Sequence, residues 1–559
     1  MKFKIPDYVF PLAIAVLMAV LLKPMVLDGL SPQGVDVIGS KGQTHQLKEY
    51  QNETGKKALY NPYLFGGMPI YFRIPPKAIS VDTIFRYIGQ LLSDTYLWYV
   101  FGGWGMFLLL RFLGLSQLPS FFGALGFVLY PHYQALWAEG HFMKFRAVMI
   151  IPWVTLASTH FFRTPNLYFM GLFALAWGNQ IRTQHYQIVF YTAILIFVIG
   201  LIPLIKMIRE KEWRVVLKTK LLTLSGILIA LAIASQPLFL AREYLPYSAR
   251  GAHTVNLKSP ETEQNKKAGV DFKYATNWST HPTELGTWLF PHFYGGLSGL
   301  KYNGDSYPSL RGKTIPGYWG YMPFTQSYEY MGPLILFLVI LGIFHQLKNK
   351  YILVLIGLGT FLIFLSFGRH FESFYSLFFD YLPFFNKFRA PMMSITMTYF
   401  IITLLASFGL EFLMNHVKKK DVRLIIWIMS IFFGFGLLCW FLSSGFSFTH
   451  SNDSYGADTI RIIKGIRIEL FQNDLIRYLL ILGVVSGLLG ASLMGKINQY
   501  VLGILLTGVM VIDLTDIQMK KPIQYSDVEK LERKNFRKSA LDNFLQKDKD
   551  LFRIFPVGK

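Results

Sequence analysis

The chain has 559 residues, of which 52% are hydrophobic and 16% charged, and its mean hydropathy is positive. Repeated uncharged runs near 20 residues exceed what a soluble core needs and read as spanning helices, which excludes a soluble globular protein. The formal net charge of +22 asks for an anionic partner, and lipid headgroups and lipid-linked phosphates fit it, since no nucleic-acid-binding module is present; the single cysteine, Cys439, excludes an intrachain disulfide or zinc–thiolate site.

Taken in order, the first apolar run, Tyr8 to Leu27, is too long for a signal-peptide core and lacks a small-residue cleavage site, so it reads as an uncleaved span. Further spans are expected near 95–114, 118–137, 147–162, 166–183, 187–205, 220–240, 331–346, 351–367, 392–413, 424–446, 476–494 and 499–516, about thirteen in all. Short loops obey the positive-inside bias. Lys2 and Lys4, Arg163, the basic run Lys206 to Lys220, Lys348 and Lys350, Lys418 to Lys420 with Arg423, and Lys496 all fall on one side, which is therefore cytoplasmic. The expected architecture is an all-α polytopic membrane protein with a transmembrane domain over 1–516. Its long outward loops are 28–94, 241–330, 368–391 and 447–475; the amino terminus is inside and the carboxyl terminus outside.

Within the outward segments, Ala78 to Leu92 and residues 457–475 have amphipathic patterns suited to the outer leaflet, the second with Arg461, Lys464 and Arg467 on its polar face. The stretch from Leu27 to Phe72 is polar, rich in Gly, Pro and aromatic residues, and reads as a loop at the membrane face. Residues 517–559 are charged and end in a strand-like run, Leu551 to Pro556. They read as the start of an outward soluble domain that is cut short.

Ionisable groups at the outer face are candidates for chemistry, because charge near hydrocarbon is costly. Asp36, shortly after the first span, suits a general base, partly desolvated at the mouth of the bundle; the plainer alternative is a turn carboxylate. Glu139-Gly140-His141-Phe142-Met143-Lys144-Phe145-Arg146 has the composition of a phosphate clamp, with His141 and Lys144 foremost, set against a solvated loop. Asn179 to Gln187, with Gln184 and His185, is dense in amide donors suited to sugar hydroxyls or to capping a helix turn. Trp278 and Glu284 lie in an aromatic, Gly- and Pro-rich loop that fits sugar or lipid, and equally membrane anchoring. Lys387 and Arg389 precede the tenth span and could neutralise a phosphate leaving group. No metal-ligand spacing, phosphate-binding glycine loop or dinucleotide fingerprint occurs, so no cofactor is assigned; a divalent ion at Asp36 is left open without support.

Several of these segments together resemble the YfhO family of bacterial integral membrane proteins: Tyr60-Asn61-Pro62-Tyr63-Leu64-Phe65-Gly66-Gly67-Met68-Pro69, Gly140-His141 with Lys144, Gln184-His185-Tyr186-Gln187, Trp278-Ser279 with Pro282 and Glu284, Tyr318-Trp319-Gly320, and Asn386-Lys387-Phe388-Arg389-Ala390-Pro391. That family looks like a branch of the GT-C superfamily of multi-span glycosyltransferases, which use polyprenyl-phosphate sugars and carry an acidic residue in the first outward loop, where Asp36 falls. The resemblance implies an inverting transfer from a polyprenyl-phosphate-linked donor to an envelope polymer or lipid acceptor, at the outer face of a bacterial cytoplasmic membrane. Asp36 would be the base. His141, Lys144, Arg389 and Lys387 would hold the lipid phosphate, and Gln184, His185, Trp278, Glu284 and Asn61 would face sugar or acceptor. The alternative is a non-catalytic protein that binds or moves a polyprenyl-phosphate lipid, in which Asp36 is dispensable; a third is a purely structural role in envelope assembly.

Overall fold

The computed structural model describes residues 6–64, 66–71, 80–248, 269–417, 421–450, 453–548, 550, 554 and 557. Nearly all of its regular structure is helical, as apolar runs of this length require when backbone groups must be satisfied within the segment. The first helices are α1 (Val9–Leu21), α2 (Lys23–Val26), α3 (Val35–Thr54), α4 (Val81–Leu92), α5 (Asp94–Phe112), α6 (Gln117–Val128) and α7 (Pro131–Glu139). They continue as α8 (Phe142–Arg163), α9 (Leu167–Arg182), α10 (Tyr186–Arg209), α11 (Trp213–Ile233), α12 (Ser235–Tyr244) and α13 (Phe272–Ala275). After the large loop come α14 (Pro333–Gln346), α15 (Lys350–Ser366), α16 (Glu372–Tyr381), α17 (Ile395–Asn415), α18 (Asp421–Leu442), α19 (Ala457–Leu493), α20 (Gln499–Lys520), α21 (Val528–Asn535) and α22 (Ala540–Leu545).

Among the described residues, seven helices are long and apolar enough to cross a membrane: α8, α10, α11, α17 with its preceding turn, α18, α19 and α20. An eighth is reached if α15 and the segment Gly368–Tyr381, bent by 109° at their junction, form one span. Each remaining expected span also meets a helix, shorter or broken. The run 118–137, for instance, divides into α6 and α7 at Pro131, which cannot donate to the preceding turn.

Glycine sets how closely the helices pack. A Cβ at Gly409 in α17 would strike the Leu338 carbonyl of α14, and one at Gly342 in α14 would strike the Leu405 carbonyl of α17. Small residues that let backbones touch are what membrane helix pairs use, because lipid offers no hydrophobic drive between them. Contacts also separate the bundle into two ends. Asp7 meets Arg111 and Gln117, and Glu411 accepts from Ser116 N at 2.7 Å, so the segments expected inside touch one another. The segments expected outside also touch one another, as where Lys521 pairs with Glu139 and donates to the Gln326 carbonyl.

Two expectations are corrected. The stretch 35–54 is not a loop but α3, a polar helix of 20 residues closed by Gly55 in the left-handed region at φ 69°. Residues 457–475 do not lie apart on the leaflet. They are the first half of α19, whose 37 residues span about 55 Å at about 1.5 Å per residue. Ile466 there packs with Leu300, Tyr302 and Ile315 of the large loop, and Arg467 is wholly buried instead of solvated. Its guanidinium pairs with Asp453 at 2.7 Å and donates to the carbonyls of Gly317, Phe448 and Pro316 at 2.9, 2.9 and 3.1 Å, which is how a buried charge is tolerated. The tail folds back on the segment after α2: Tyr525–Ser526 pairs antiparallel with Ser31–Pro32. The strand-like run 551–556 lies outside the described residues except for Ile554. Of the stretch expected to be an amphipathic helix, 81–92 is helical, as α4. Phe85 packs on Trp98 and Phe101, while Ile84, Ile88 and Leu91 stay exposed; Ala78 and Ile79 lie outside the described residues.

Candidate functional site

The site forms where α3 begins and α7 ends. Helix α7 closes in a Schellman turn: Gly140 sits at φ 103°, its N–H donates to the Trp137 carbonyl, and the His141 N–H donates to the Leu136 carbonyl at 2.7 Å. The turn delivers His141 at the cap position of α8. Opposite, Gly34 precedes α3, and a Cβ there would run into the Ala138 carbonyl. This close approach sets Asp36, in the first turn of α3, against His141, with Oδ2 to Nε2 at 3.1 Å. A carboxylate there is also favoured by the positive end of the helix dipole. The Asp36 side chain is 63% exposed and that of His141 54%, so the desolvation expected at Asp36 is not present. Burial of part of its ring and the nearby Lys144 lower the His141 pKa, with Asp36 pulling the other way.

One turn further along α8, Lys144 points into the bundle and is buried. Its Nζ lies 3.1 Å from His132 Nε2, and His132 Nδ1 lies 2.6 Å from Glu329 Oε1. Glu329 accepts further hydrogen bonds from Tyr130 OH at 2.7 Å and Ser327 Oγ at 2.9 Å. This fixes a direction: Lys144 donates to His132 Nε2, and His132 donates from Nδ1 to the carboxylate. Burial alone would raise the Glu329 pKa, but His132 and the hydroxyl donors outweigh it and hold the carboxyl well below its usual range.

Beyond Glu329 is a cavity of about 30 Å³, lined by Thr280, Glu284, Tyr294, Tyr318, Ser327 and Glu329 among others, which has room for about two waters and not for a sugar. Glu284 is buried and caps its own turn, accepting from His281 N at 2.9 Å, Tyr321 N at 3.1 Å and Tyr318 OH. Burial raises its pKa against those hydrogen bonds.

Of the residues singled out in the sequence, the structure therefore brings Asp36, His141 and Lys144 together, and places Glu284 on the neighbouring cavity. The expected phosphate clamp is not a free set of cations. Arg146 is held by Asp94 at 2.6 Å, Glu139 by Lys521 at 2.6 Å, and Lys144 by His132, because each has a partner from another helix or its flank. Arg389 turns to Tyr274, donating to its OH at 2.5 Å, and Lys387 lies in the turn Phe385–Lys387. Asn61 is a structural residue: buried, it donates to the Gln43 carbonyl of α3 at 2.9 Å and accepts from Tyr63 N, in a hairpin pairing Tyr60–Asn61 with Met68–Pro69. Gln184 adopts φ 62° between α9 and α10, and His185 accepts from Ile188 N at 3.4 Å, the capping role. In the same amide-rich segment, Asn179 accepts from Val81 N and Arg182 pairs with Asp82 at 3.2 Å, which fastens α4 to the bundle. Trp278 donates to the Phe324 carbonyl at 3.3 Å and packs edge-on against its ring.

His132, Glu329, Tyr130, Ser327 and Lys521 were missed. His132 was findable as an imidazole inside an apolar run, and Glu329 as a carboxylate at the mouth of one. Among the described residues no group of three or more His, Cys, Asp or Glu could hold a metal ion. Comparison of the chain with family models, curated proteins and solved structures finds no match.

Proposed function

We propose that the protein is a membrane glycosyltransferase of the GT-C kind, resembling the YfhO family, which moves a sugar from a polyprenyl-phosphate donor to an envelope acceptor. In this reading about thirteen spans hold the site at the outer face of a bacterial cytoplasmic membrane, with the amino terminus inside. The observation that supports it is the contact of Asp36 with His141 at the junction of α3, α7 and α8, backed by the buried Lys144. The acceptor hydroxyl oxygen attacks the anomeric carbon and its proton passes to the Asp36 carboxylate. The bond to phosphate breaks with its electron pair, and the lipid phosphate leaves toward His141 and the field of Lys144. Because the Asp36–His141 pair is exposed, it is worth only about 0–1 kcal/mol, so an incoming hydroxyl can replace it at little cost. Arg389, bonded to Tyr274, is a contact for the lipid phosphate before or after transfer rather than a partner of Asp36.

The test is sugar transfer by purified protein from a panel of undecaprenyl-phosphate sugars, wild type against Asp36→Asn. Turnover by wild type and none by a variant that still binds the lipid supports the reading. Full transfer by Asp36→Asn overturns the assignment of the base, and lipid binding without turnover of any donor by either protein moves the function to lipid binding or transport.

A further inference from the structure

Lys521 follows the last helix of the bundle and is 7% exposed, yet it has no part in the transfer chemistry at Asp36. Its Nζ donates to Glu139 Oε1 at 2.6 Å and to the Gln326 carbonyl at 2.7 Å. Glu139 is the last residue of α7, two positions before His141, and Gln326 directly precedes Ser327 in the stretch of chain that carries Glu329. A single ammonium therefore ties together the two turns that present His141 and Glu329. The residues after Lys521 fasten the third part of the site. The Gln33 N–H donates to the Gln524 carbonyl at 2.9 Å, and Ser31 and Pro32 pair with Ser526 and Tyr525. Along α3, His45 stacks on Phe536 at 4.9 Å and Lys48 pairs with Glu532 at 3.1 Å. Helix α3 is polar, and along it only Val37 is buried, so by itself it has little to hold it against the bundle.

We infer that the segment 521–536 is a clasp that seats the Asp36 helix on the α7–α8 turn, with Lys521 as the positioning residue that sets the separation of Asp36 from His141. This rests on the proposed transferase reading for its catalytic consequence, while the positioning itself does not. Lys521 touches neither substrate nor the reacting atoms. It acts through Glu139 and through the loop at Gln326.

The experiment uses the full chain and three variants: Lys521→Met, Lys521→Arg, and Ser31→Cys with Ser526→Cys in a Cys439→Ala background. The first readout is amide hydrogen exchange. Lys521→Met is expected to speed exchange at least tenfold in 31–48 and 136–145, leaving exchange in α14 and α17 unchanged; Lys521→Arg restores slow exchange. The second readout is transfer from the undecaprenyl-phosphate sugar that wild type turns over. Here kcat is expected to fall at least tenfold in Lys521→Met with KM for the donor within twofold, and to recover in the oxidised Ser31→Cys/Ser526→Cys form of Lys521→Met. Unchanged exchange in 31–48 overturns the clasp. Faster exchange with kcat untouched overturns the link to Asp36. Faster exchange in a protein that transfers no sugar leaves the clasp standing and sinks the transferase reading instead.

Discussion

Asp36 stands out in the sequence as a carboxylate shortly after an apolar run, where a plain turn carboxylate would look the same, and its partner does not stand out at all. The Asp36–His141 contact depends on Gly34 and Gly140, which clear the approach of two backbones about a hundred residues apart, and no local pattern announces that. Under the proposed transfer, with Asp36 as base, Asp36→Asn is expected to lower turnover by roughly 10²–10⁴-fold. The melting temperature should stay within a degree or two, since the pair is exposed; donor-transfer assays and thermal unfolding check both. Lys144 was singled out as a phosphate cation and Glu329 was findable at the mouth of an apolar run, but neither their burial nor the link between them was legible. The burial of Lys144 is set by His132 and by a glutamate whose hydrogen-bond donor Tyr130 is 199 residues away in sequence. Glu329 has a depressed pKa in the folded protein, so its contribution to stability is complete above the ordinary carboxylate range and is lost as pH falls toward about 2. Wild type should therefore melt lower at pH 3 than at pH 5, and Glu329→Gln should remove that part of the acid dependence while melting lower than wild type at pH 7.

Helices were the best-read elements, because uninterrupted apolar runs state both their length and their environment. Where reading failed, the cause was polarity. Helix α3 has glycines at 39 and 42 and little apolar surface, so it lacks the periodicity that signals a helix; its partners are His45–Phe536 and Lys48–Glu532, supplied from the far end of the chain. The first half of α19 failed differently. Its apolar face was visible, but a buried arginine looks identical in sequence to a solvated one, and only Asp453 with the loop carbonyls distinguishes them. Packing of α14 on α17 gives the sharpest test at this scale. Gly409→Leu forces a side chain into the Leu338 carbonyl, so the helices must separate. The expected loss is about 1–3 kcal/mol or more, read as an earlier melt in detergent, with Gly434→Leu, where a Cβ meets nothing, as the unaffected control.

At the scale of the molecule, the two-ended arrangement makes a prediction that needs no substrate. In a Cys439→Ser background, Gln46→Cys, at an exposed position of α3, is expected to react with a membrane-impermeant maleimide on intact cells. Lys348→Cys, between α14 and α15, should react only after the membrane is opened. The reverse pattern would invert the orientation, and labelling of both on intact cells would break it.

The buried Arg467 also has a bearing on the order in which this protein is made. The Gly317 carbonyl that its guanidinium satisfies is synthesised 150 residues earlier, and the Asp474 partner of His292 arrives 182 residues after it. The large loop between α12 and α14 must therefore wait, with those groups unpaired, while α14, α15, α17 and α18 are made. Its last partners come more than a hundred residues after it is made, so a ribosome stalled before residue 467 leaves the loop unfinished and its polar groups unsatisfied.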